Sequence, residues 1–180
     1  MSSLSTVMCQ SESLKIDLKG LPEGNTSLSY TLDDTYFQDY ETSEVSGGLI
    51  HVDVVIKRTR MYWELELHTE GTVIVPCDLC MVDMEQTIEA YNRMTVQLGK
   101  ENNEDDDIVI VDEEEGILDL SWFIYEFIVL AIPIRHVHAP GKCDTAMMKV
   151  LEEHSTDRSS DGESTTTVDP RWEKLKNIKF

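Results

Sequence analysis

The sequence predicts an α+β fold: a mostly antiparallel β-sheet, laid out as a meander and open or barrel-like, with one buried helix and a short C-terminal helix. Three observations carry that expectation. Residues 47–60 and 61–71 alternate at period 2, with Val52, Val54 and Ile56 on one face of the first run and Trp63, Leu65 and Leu67 on one face of the second. Residues 122–134, WFIYEFIVLAIPI, form the most apolar run and have helical spacing instead. Residues 169–180 open on Asp169-Pro170, an N-cap followed by a proline in the first helical turn.

Taken in order, residues 1–14 are Ser-rich and are expected to be disordered. KIDLKGLPEGNTSLSYTLDDTYF, residues 15–37, suggests one or two early strands joined by the PEGN turn. Two paired antiparallel strands follow, 47–60 and 61–71. Gly71 is expected to break that pairing, with TVIVP at 72–76 as a third strand and CDLCMVDM in the place of a connecting turn. In EQTIEAYNRMTVQL, Ile88, Ala90, Met94, Val96 and Leu98 share one parity, and a strand of that length calls for a bulge or bend.

Residues 101–115 place IVIV between two acidic blocks, a short strand with solvated loops or an acidic docking surface for a basic partner. The helix after them has Asp119 or Ser121 as N-cap and Leu120, Ile124, Phe127 and Ala131 at helical spacing, and Pro133 stops it near Ile132. Its other faces are also apolar, which predicts that protein wraps it on most sides. A Ser/Thr-rich linker at 152–168 has too little apolar surface to offset the cost of ordering. In the helix beyond it, Trp172, Leu175 and Ile178 share a side, among Arg171, Lys174, Lys176 and Lys179. The predicted organisation is therefore a tail at 1–14, a domain at 15–151, a linker at 152–168 and a basic amphipathic helix at 169–180.

With 180 residues the chain has room for one domain and its tails. A formal charge of -20 repels phosphate backbones, which makes basic proteins easier partners than bare RNA. RNA contact would need a local basic surface, and the candidates are Lys57, Arg58 and Arg60 at a turn between strands and Arg171, Trp172, Lys174, Leu175 and Lys176 in the terminal helix. The opening residues never run apolar as a secretory leader does, and the run at 122–134 contains Glu126 and falls short of the roughly 20 residues of a spanning helix. The expectation is a cytoplasmic protein without a membrane partner. No GxSxG, P-loop, GxGxxG or HExxH occurs, so a binding role is expected before an enzyme with a small-molecule substrate.

VPCDLC, residues 75–80, raises the question of chemistry. In a reducing compartment, four cysteines argue for metal, reactivity or burial before disulfides, and Cys9 in the loose N-terminal segment is the odd one out. Cys77 and Cys80 offer two thiolates from one tight turn. RHVHAPGKCD, residues 135–144, offers His136, His138 and Cys143 from another, which together make a Cys3His set for Zn2+. A redox dithiol would instead place CxxC at a helix N-terminus, whereas the residues following this one alternate like a strand. Structural metal, inert buried thiols and thiol redox chemistry all stay open at this level. His51, His68 and His154 have no ligand types nearby in sequence and are expected to have no task.

Strands that end in a Cys-x-x-Cys turn, a long strand, an acidic block, and DLSWFIYEFIVLAIPI closing on HVHAPGKC together resemble the YceD family of bacteria and chloroplasts. The resemblance covers roughly residues 15–150. It places Cys77 and Cys80 on the family's first cysteine pair, Glu126 on a recurrent acidic helix position, Pro133 on the helix-ending proline, and His138 with Cys143 on a C-terminal ligand-like segment. No cysteine follows Cys143, so a fourth ligand would be His136 or His138. The terminal DPRWEKLKNIKF resembles a tail of one bacterial branch and is placed outside the family core. What the resemblance implies is a non-catalytic factor in ribosome biogenesis, with large-subunit ribosomal RNA or a ribosomal protein as partner and zinc as a structural cofactor. Two other classes compete with it: a thiol or metal enzyme centred on Cys77, Cys80 and Cys143, and a generic acidic chaperone for basic proteins.

Overall fold

The alternating runs become strands because a buried face of β-branched and leucine side chains is what a pleated sheet can pack. In the computed structural model, which describes residues 6–8, 14–40, 44–99 and 108–155, β3 (Gly24–Leu32), β4 (Gly47–Arg58), β5 (Trp63–Pro76) and β6 (Asp83–Gly99) form an antiparallel meander. Two short strands join its edges in parallel, β1 (Thr6–Met8) beside β3 and β7 (Ile108–Asp112) beside β6. The order is β1-β3-β4-β5-β6-β7, so the sheet is open and does not close into a barrel. A second, two-stranded sheet pairs β2 (Lys15–Asp17) with β8 (Ile117–Asp119).

Several expectations change in detail. Residues 6–8 form a strand in a segment expected to lack structure. The early strands are joined by a turn that begins at Leu18, ahead of PEGN, whose Gly24 and Asn25 already belong to β3, and they enter different sheets. Gly71 does not end a strand, since β5 runs through it and the buried parity continues from Trp63, Leu65 and Leu67 to Val73 and Val75. At φ +150 it faces Ile50 of β4, and a Cβ there would lie 2.9 Å from Ile50 Cα. Glycine therefore permits a close strand approach and not a break. The bulge expected in the long strand is absent: the β5–β6 register is unbroken from Trp63↔Val96 to Pro76↔Asp83.

One face of the meander carries the core, including Val52, Val54, Ile56, Leu65, Leu67, Ile88 and Val96. Helix α1 (Asp34–Gln38), which the sequence reading passed over, adds Tyr36 and Phe37, and Asp33 caps it by accepting from Thr35 N–H at 3.0 Å. Helix α2 (Ser121–Ala131) covers the sheet with Ile124 and Ile128, both fully buried. Its cap position is Leu120, and Asp119 Oδ1 accepts from Ser121 N–H at 2.9 Å. Ile132 turns extended ahead of Pro133, which ends the helix where the sequence places its end. The expectation that protein wraps α2 fails, because Trp122, Glu126 and Leu130 face solvent. Apolar composition predicts only that a helix has a face to bury; the sheet supplies cover for one stripe.

The chain divides into two compact units, Met1–Asp144 and Thr145–Phe180. Of the second, residues 145–155 are described, and they contain α3 (Thr145–His154). Residues 152–154, read as the start of a linker, are therefore helical. The predicted helix at 169–180, with Arg171, Trp172, Lys174, Leu175 and Lys176, lies outside the described residues, as do residues 101–107 of the acidic block. Among the described residues, no helix is long and apolar enough to cross a membrane.

Candidate metal centre

The β5–β6 hairpin presents the first two thiols. Between Pro76 and Asp83 the chain turns back in six residues, with Cys77 N–H donating to Val82 O at 3.0 Å and Met81 N–H to Cys77 O at 2.9 Å. Met81 closes the turn at φ 60, in the left-handed region, directly after Cys80. The placement of CxxC on a hairpin turn, followed by a strand and not by a helix, is the one the sequence predicts.

The second segment is delivered by the end of α2 and locked by main-chain bonds. Asp78 N–H donates to His136 O at 3.0 Å, and His136 N–H returns a bond to Asp78 Oδ2 at 2.7 Å. The His136 ring lies 3.6 Å from Asp78 Oδ1 and 3.0 Å from Pro133 O. Then Ala139-Pro140-Gly141-Lys142 reverses the chain, with Lys142 N–H on Ala139 O at 3.0 Å and Gly141 at φ +78. Proline then glycine at the two central positions is the type II turn signature. It brings Cys143 back beside His138.

Four donors converge as a result: Cys77, Cys80, His138 and Cys143 place one ligand atom each, all within 4.8 Å of one another. Cys77 Sγ lies 4.0 Å from Cys143 Sγ, and Cys80 Sγ lies 3.4 Å from His138 Nδ1. A tetrahedral zinc site with ordinary Zn–S and Zn–N bonds has edges of about 3.5–3.8 Å, so the donor set and its spacing fit that ion. His136 is not in the cluster. Its ring and backbone hold Asp78, and of the two histidines left open by sequence it is His138 that lies beside the three sulfurs.

The thiols are unequal. Burial raises the pKa of Cys77, but the N–H groups of Cys80, His138 and Leu79 and the His138 side chain outweigh it and bring the thiol down to about 5. Cys143 is pushed up to about 11, first by burial and then by the sulfurs of Cys77 and Cys80. Cys77 and Cys80 are buried, Cys143 is half-buried, and all three are free. Three sulfurs packed with an imidazole would repel once ionised, and a dication answers that crowding.

A comparison with protein-family models matches residues 65–179 to the family described as large ribosomal RNA subunit accumulation protein YceD. The chain belongs to the YceD family. The YceD match contains the CxxC hairpin, α2 and Cys143, but it begins inside β5, so that β1 to β4 and α1 precede it. It also takes in residues 152–179, including most of the terminal segment that the sequence resemblance set outside the family core. Comparisons with curated proteins and with solved structures gave no match.

The other candidate residues lie elsewhere. Lys57 is exposed and 4.0 Å from Glu64. Arg58 donates to Leu21 O and sits 5.8 Å from the Trp63 ring centroid, so its guanidinium serves packing, while Arg60 is exposed in the β4–β5 turn. On the outer sheet face His51 is 3.4 Å from Asp53, and His68 stacks on Tyr91 with centroids 4.3 Å apart. Sequence reasoning missed Asp78 and His136 as the pair that joins the two segments. The only signal for Asp78 was a carboxylate inside the CxxC.

Proposed function

We propose that this protein is a non-catalytic factor that supports accumulation of large-subunit ribosomal RNA, acting during assembly of that subunit and carrying a structural zinc ion on Cys77, Cys80, His138 and Cys143. The observation that carries the ribosomal reading is the YceD match over residues 65–179. The zinc reading is supported by the donor set and its convergence. In that role the ion would cross-link the β5–β6 hairpin to the segment after α2, where Asp78 and His136 already join them. The charge of -20 favours a basic ribosomal protein as the direct contact over bare RNA, since Lys57 and Arg60 are the exposed cations left of the predicted strand-turn patch. A cytoplasmic place of action follows from the ribosomal role.

The test is recovery of tagged protein from cells at moderate salt, with and without residues 169–180. Co-isolation of large-subunit precursor particles is the expected result, and free protein at every salt concentration would remove the ribosomal reading. Metal analysis of the purified protein should return about one zinc per chain.

One observation favours a second reading, a redox dithiol: the Cys77 thiol is lowered to about 5. Reactive cysteines are partly exposed, however, and Cys77 and Cys80 are both buried. Reversible oxidation with loss of the free thiols under mild oxidant would favour that reading over zinc.

A further inference from the structure

Aromatic rings from two separated segments meet at the surface where α1 ends and α2 begins. Tyr40 stacks on Tyr125 with centroids 4.0 Å apart and planes 14° from parallel. Trp122 lies against both, at 5.8 and 5.6 Å. Tyr36 supports the group, 5.5 Å from Tyr40, and its hydroxyl donates to Ser121 O at 2.6 Å. Despite these contacts Trp122 is 59 % exposed, and Glu126 and the 73 %-exposed Leu130 continue the same face one and two turns along. The solvent face of a surface helix is normally polar. This one has an indole and a leucine with a carboxylate between them.

The two segments that build the cluster carry one sign of charge, and a cation from elsewhere, Lys15, lies opposite Asp119 in the β2–β8 pair. Asp39 directly precedes Tyr40, and Asp119 Oδ1 accepts from Ser121 N–H at 2.9 Å, one residue before Trp122; with burial, both acids raise the pKa of the Tyr40 hydroxyl. Residues 20–56 and 101–134, the two stretches that build the cluster, contain no Lys or Arg. Ring faces are themselves electronegative, so rings and rim favour the same ligand, a cation. A guanidinium suits it better than an ammonium because it is planar, stacks on rings and is more weakly hydrated. Nucleic acid would bring phosphates to the acids, and a second copy would bring the same acidic rim.

We propose that the face formed by Tyr40, Trp122, Tyr125 and Glu126 is a docking site for an arginine-bearing segment of a basic protein. The guanidinium stacks on the exposed Trp122 beside the half-buried Tyr40 and Tyr125, and the exposed Asp39 and Glu126 supply the counter-charge. This deepens the basic-partner arm of the proposed function and rests on it.

The probes are fluorescein-labelled nona-arginine and nona-lysine peptides, titrated against the full chain and read by fluorescence anisotropy. Nona-arginine should bind about two- to five-fold more tightly than nona-lysine. Trp122→Leu, which keeps apolar bulk at an exposed position, should abolish that preference and leave nona-lysine binding unchanged. Equal binding of the two peptides, or a preference that survives Trp122→Leu, overturns the proposal. So does Trp122-dependent self-association by sedimentation, which assigns the face to a second copy. Binding that appears only after removal of residues 169–180 assigns it to the chain's own basic segment. The outcome is separable from the ribosomal reading, because co-isolation of precursor particles does not depend on which face makes the contact.

Discussion

The face of the meander and the tip of its β5–β6 hairpin are held together in opposite ways. On the face, Val52, Val54, Ile56, Leu65, Leu67 and their neighbours exclude water through many non-directional contacts, each replaceable by another apolar group of similar size. At the tip, four side chains converge within 4.8 Å, and none can be exchanged for a hydrophobe without losing a donor. The first arrangement tolerates imprecision and draws its strength from area; the second depends on geometry, and at most one ion satisfies it.

The largest expected effect tests whether the tip depends on metal. Chelation of the wild-type protein, or Cys77→Ser, should cost more than about 4 kcal/mol by denaturant unfolding. Cys77→Ser should then be insensitive to chelator, whereas a chelator-insensitive wild type would erase the contrast. Next comes the face: Leu65→Ala, at a fully buried position, should cost about 2–5 kcal/mol while the response to chelator persists. Asp78→Ala removes the acceptor of His136 N–H and should cost about 1 kcal/mol, with zinc affinity falling alongside in a competition titration. Met81→Gly relieves a left-handed φ of 60 in the turn after Cys80 and should stabilise by about 0.5–1 kcal/mol in thermal unfolding.

The smallest effect lies at the cap of α1. Hydrogen bonds from the Thr35 side chain and backbone hold the Asp33 carboxyl below its ordinary 3.8. A carboxyl depressed in the folded state contributes stability above its unfolded pKa and loses it as pH falls through the folded value. Asp33→Asn should therefore lower the melting temperature slightly at pH 7, with the difference from wild type closing as pH drops below about 4.

Legibility in the sequence follows the same division. Strand faces were readable because a two-residue period links a position to its side of the sheet without knowledge of any other segment, and this is why Val52, Val54, Ile56, Leu65 and Leu67 came out buried. The hairpin setting of CxxC was readable too, from the alternation on both sides. Gly71 misled because glycine signals breaks and close approaches alike, and only Ile50 across the strand pair decides between them. The exposure of Trp122 and Leu130 was hidden for a similar reason, since an apolar helix does not state how many neighbours it will have.

For the site itself, residue types and local turns were determined by the sequence: two thiols at three-residue spacing, a histidine and a cysteine five apart across Pro140-Gly141, a proline to stop the helix. Only the tertiary structure sets His138 among the three sulfurs and His136 on Asp78, 58 positions away in the chain. Local chemistry is encoded in neighbouring residues and can be read there. Convergence of distant donors is a property of the packed sheet and helix, whose contacts no short stretch contains.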